Sequence, residues 1–97
     1  MPTLPPFEVV VWLKRTENFA ALRDEVIGLA IEEPNESTES EGVVDFHWGF
    51  ERLDEAESVA EALTALSQRP ELVLLCLKHR DDPKASTVFK DTRYVRH

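Results

Sequence analysis

The chain has 97 residues, with 11 Lys and Arg against 19 Asp and Glu, for a formal net charge of -8. Domains typically run about 100–150 residues, so there is no room for two cores. The acidic balance excludes a general nucleic-acid binder, because phosphate recognition needs a basic surface, and the single cysteine, Cys76, excludes an internal disulfide framework.

Residues 1–6 contain Pro2, Pro5 and Pro6 and predict an extended lead-in, since each proline restricts its own φ and turns the preceding residue away from helix. They hold neither a basic n-region nor an apolar h-region, so a secretory leader is not expected. Phe7–Lys14 is rich in β-branched and aromatic residues and predicts a first strand. Phe7, Val9, Val11 and Leu13 share one face; Glu8, Val10, Trp12 and Lys14 share the other. Thr16 is placed to cap a helix over 17–32, where Phe19, Leu22, Val26, Leu29 and Ala30 follow helical spacing and Pro34 ends the run.

Residues 33–42 hold four glutamates with Pro, Asn, Ser, Thr and Gly and predict a mobile acidic loop. Val43–Phe50 predicts a second strand, with Val44, Phe46, Trp48 and Phe50 on one side and Val43, Asp45 and His47 on the other. Gly49 marks a bulge or a close approach of backbone. Asp54 and Glu57 have the spacing of a capping box. Ala56, Val59, Ala60, Leu63 and Leu66 then form the apolar stripe of a second helix, which Pro70 stops. Leu72–His79 predicts a third strand, apolar on both faces and therefore central. A turn at 80–84 leads to a polar edge strand over 86–95.

The order β-α-β-α-β-β predicts a single α+β domain over 1–97. It is a two-layer α/β sandwich, with a four-stranded mixed sheet and both helices on one face. A ferredoxin-like or related layout fits if a further strand lies between residues 33 and 53. The most apolar run, residues 72–77, is far shorter than the roughly 20 residues of a membrane span. No membrane or nucleic-acid partner is expected, and the buried-looking cysteine suits a reducing, cytoplasmic setting.

Motifs for phosphate or dinucleotide binding are absent, and no cofactor or metal is expected. Asp45 and His47, two apart on a strand, project from the same face; a carboxylate-oriented base would have that geometry, and so would a solvated pair. If Val9, Val11 and Leu13 face the helices, Val10 and Trp12 face away beside alternate residues of the third strand. So apolar an open face calls for a cover: a second copy, a ligand or a loop. Lys78, His79, Arg80, Lys84, Lys90, Arg93, Arg96 and His97 crowd the last hairpin. Residues 1–62 carry 4 basic and 15 acidic groups, a net of -11, and residues 63–97 carry 7 and 4, a net of +3.

Interface or ligand candidates are therefore Val10, Trp12, His47, His79, Lys90 and Arg93, with Asp45 and His47 as catalytic candidates. Three functions compete. The first is a small interaction protein, homodimeric through an apolar sheet face or edge. The second is an enzyme or ligand binder with a pocket around Asp45, His47 and Trp12. The third is an acidic inhibitor or immunity-type protein that blocks a basic partner.

Overall fold

The computed structural model describes residues 5–30, 35–36 and 42–92. The chain runs β1 (Phe7–Lys14), α1 (Phe19–Ala30), β2 (Asn35–Glu36), β3 (Val43–Phe50), α2 (Leu53–Leu63), β4 (Leu72–His79) and β5 (Thr87–Asp91). A single 3₁₀ turn, Thr64–Leu66, extends α2, and another, Pro83–Ala85, lies between β4 and β5.

The sheet order is β2-β3-β1-β4-β5, and all four pairings are antiparallel. The expectation of a mixed sheet is corrected here. Each helical connection joins two strands of like direction with a third strand between them, but the strand after α1 is β2, and Val43–Phe50, expected to follow α1 directly, runs antiparallel to β1. β3 separates β1 from β2, and β1 separates β3 from β4. This is the split β-α-β arrangement of ferredoxin-like sheets, with β5 added beside β4.

The strand needed to complete that layout is β2, within the segment expected to be a loop. It is two residues long and pairs Asn35 with His47 and Glu36 with Phe46. Residues 33–34 and 37–41 of the expected loop lie outside the described residues, as do residues 1–4 of the lead-in and 93–97 of the expected last strand.

The helices cover one face of the sheet. Val9, Val11 and Leu13 of β1 and Phe46 of β3 are fully buried with Leu72 and Leu75 of β4, against Leu22 and Val26 of α1 and Ala56, Ala60 and Leu63 of α2. Aromatic rings tie α1 to β3: Phe19 stacks on Phe46 at 6.2 Å, and Phe46 on Trp48 at 6.4 Å between ring centres. The alternation read from Phe7–Lys14 and Val43–Phe50 is what delivers these side chains to one side.

Local signals differ from expectation at two helix starts. The Leu22 N–H bonds the Asn18 carbonyl, so Asn18 holds the cap position, and the Thr16 hydroxyl instead accepts from the Asn18 N–H. The capping box at Asp54 and Glu57 is not formed. α2 begins earlier, at Leu53, with Arg52 at the cap position and without a side-chain cap. Leu53 packs against the main core, which draws the helix start back by two residues, from a cap at Asp54 to one at Arg52. Asp54 then sits inside that turn, where a carboxylate favours the positive helix end, and it pairs with Arg52 at 3.0 Å. Among the described residues no helix is long and apolar enough to cross a membrane.

Candidate functional site

The opposite face of the sheet has no helix over it, and it carries a second, smaller apolar cluster. Val10, Leu74 and Cys76 are buried there, with Trp12 packed against them. Register explains the grouping. Val10 stands between His47 on β3 and Cys76 on β4, and Trp12 stands between Asp45 and Leu74. Directly opposed residues share a face, so the helix-free surface is a grid of alternate residues from three strands.

One side of this grid opens into a cleft of about 480 Å³ between β4 and the connection to β5. Trp12, Leu74 and Cys76 form its apolar floor, with Pro83 and Val88 beside them. Lys78, His79, Arg80 and Ser86 complete the lining. Val88 is 60% exposed and is the one large hydrophobic residue so exposed among those described. The His79 N–H donates to Ser86 Oγ at 3.0 Å, and the Arg80 N–H donates to the Pro6 carbonyl at 2.8 Å, which fixes the backbone around the cationic end.

The sequence-derived candidates separate on this framework. Val10, Trp12, Asp45 and His47 share the helix-free face. Asp45 and His47 are not part of the cleft lining. His47 Nδ1 instead lies 3.5 Å from Glu8 Oε1. His79 reaches the cleft, but its ring meets Phe7 edge-on at 5.2 Å. Lys90 points away from the group. Its Nζ donates to the Arg69 carbonyl at 2.8 Å, and burial lowers its pKa from the ordinary value, opposed by nearby Glu71. Arg93 lies outside the described residues.

Pro83, Ser86 and Val88 were not singled out in the sequence. Nothing in their local pattern marks them, because they reach the site only when the hairpin folds β5 back along β4. No group of three His, Cys, Asp or Glu side chains among the described residues is placed to hold a metal ion.

Asp54, Glu55, Glu57 and Glu61 are exposed on α2, which carries no basic residue, while Lys78 and Arg80 lie at one end of the helix-free side. Glu8, directly across from Lys78, is the carboxylate nearest that end on β1. Comparison of the chain with protein-family models, with characterised proteins and with solved structures finds no match.

Proposed function

We propose that the protein is a small cytosolic interaction domain that self-associates through the helix-free face of its sheet. The observation that carries this reading is the second apolar cluster of Val10, Leu74, Cys76 and Trp12, continuing to Val88 at 60% exposure. Val10, Leu74 and Cys76 are already closed off within the chain, so what a partner would take from water is the remaining surface of partly buried Trp12 and of exposed Val88.

The face is favoured over the edges. β5, at one end of the sheet, has its pairing interrupted between Leu75 and Cys76 and carries Lys90 and Asp91, devices that blunt strand-to-strand addition. β2, at the other end, is two residues long.

A second copy is the occupant whose charge pattern fits. Lys78 lies toward one end of the strands and Asp45 toward the other, on the same face. Lys78 on β4 and Asp45 on β3 are diagonal across β1, so a two-fold axis lying between two stacked sheets and running diagonally to the strands would set Lys78 of each copy opposite Asp45 of the other.

Sedimentation equilibrium at micromolar concentration tests the reading. A dimer is expected, weakened by Lys78→Asp or Asp45→Lys alone and recovered when both changes are combined. A monomer throughout that range would overturn it.

A further inference from the structure

The cleft beside β4 shares Trp12, Leu74, Val88 and Lys78 with the proposed self-association face and adds Arg80 and Ser86, which that reading does not use, so a ligand there and a second copy compete for the face. Its floor is apolar, formed by Trp12 and Leu74 with exposed Val88 alongside. Its polar end holds Lys78 and Arg80, neither of which is in an ion pair among the described residues. None of the side chains lining it is a carboxylate; Glu8, directly across from Lys78, lines the adjoining cavity with Lys78 and Arg80 and forms no ion pair with either.

Ser86 adds direction. Its oxygen accepts the His79 N–H at 3.0 Å, which leaves the hydroxyl hydrogen to donate to an incoming acceptor. The volume of about 480 Å³ lies in the range of small-molecule sites, which are mostly apolar with a few placed polar groups.

We propose that this cleft binds a small apolar carboxylate. The aliphatic or aromatic tail rests on Trp12, Leu74 and Val88, and the carboxylate meets Lys78 and Arg80 with the Ser86 hydroxyl as a further donor. The two cations distinguish an acid from an alcohol of equal length, and the apolar floor distinguishes it from acetate. A guanidinium also offers the paired donors that match a carboxylate.

Isothermal titration with octanoate tests this, with acetate, octan-1-ol and octyltrimethylammonium in parallel. Octanoate is expected to bind once per chain and to change tryptophan emission. Trp12 is the responding ring, since Trp48 is closed into the main core. The other three ligands are expected to bind at least tenfold more weakly. The Lys78→Glu/Arg80→Glu double variant and Val88→Glu each weaken octanoate at least tenfold; all three residues are exposed, so an unchanged thermal melt shows that the fold persists.

Absence of octanoate binding at millimolar concentration would overturn the proposal. So would equal binding of the alcohol, or unchanged affinity in the charge-reversed variant. Sedimentation with and without octanoate separates the two ideas: a dimer that octanoate neither binds nor dissociates refutes only the ligand site, and a protein that is monomeric without octanoate yet binds it refutes only the self-association.

Discussion

Glu8 Oε1 lies 3.5 Å from His47 Nδ1, a diagonal contact between neighbouring strands on the helix-free face of the sheet. Side chains so placed interact across an antiparallel pair even though they are not in register. The other ring nitrogen, His47 Nε2, is buried without a hydrogen-bond partner among the described residues. The Glu8 carboxylate is 43% exposed, so Glu8→Gln is expected to change stability by less than about 1 kcal/mol. His47→Phe is expected to be neutral or stabilising, because an unsatisfied buried polar atom costs about 1–3 kcal/mol. Urea denaturation of both variants checks this. A marked loss of stability in His47→Phe would show that Nε2 has a partner in solution.

Gly49 is expected to be intolerant of a side chain. A Cβ there would run into the Pro5 ring, which lies over the strand at that point. Gly49→Ala should cost about 1–3 kcal/mol through overpacking. Pro5→Ala in the same chain should recover most of that loss. A double-mutant cycle by chemical denaturation measures the coupling, and purely additive effects would place the ring elsewhere.

The start of α2 predicts a pH dependence. The side-chain hydrogen bond from Arg52 holds the Asp54 carboxyl below its usual value of 3.8, and the guanidinium charge acts in the same sense. A carboxyl more acidic in the folded chain than in the unfolded one contributes stability above pH 3.8. That contribution is lost as pH falls through this value and past the folded one. Asp54→Asn should therefore melt at a lower temperature than the parent at neutral pH, with the gap closing in acid. A gap that stays constant across the titration would count against the Arg52–Asp54 pair as its cause.

Much of the fold was legible because burial on a sheet or helix leaves a period in the sequence. Val9, Val11 and Leu13 alternate with Val10 and Trp12, and the alternation assigned both faces of β1 correctly. The stripe of Leu22, Val26 and Ala30 identified the buried side of α1 in the same way. β2 left no such trace, since two residues are too few to show a period. The capping pattern at Asp54 misled because Leu53 gains more by packing on the core than the helix gains from a side-chain cap.

By itself, the sequence determined both helices and the longer strands, the side of each that turns inward and the division of charge along the chain. These are local properties, set by side-chain period, backbone restriction and the count of ionisable groups. Only the tertiary structure decided which strands are neighbours, because pairing depends on where each helical connection returns the chain. The antiparallel order that puts β1 between β3 and β4 is what gathers Val10, Trp12, Leu74 and Cys76 into one cluster. The return of β5 along β4 is what brings Ser86 and Val88 to the same cleft as Trp12. Those contacts join residues more than sixty positions apart, and no local pattern encodes that distance.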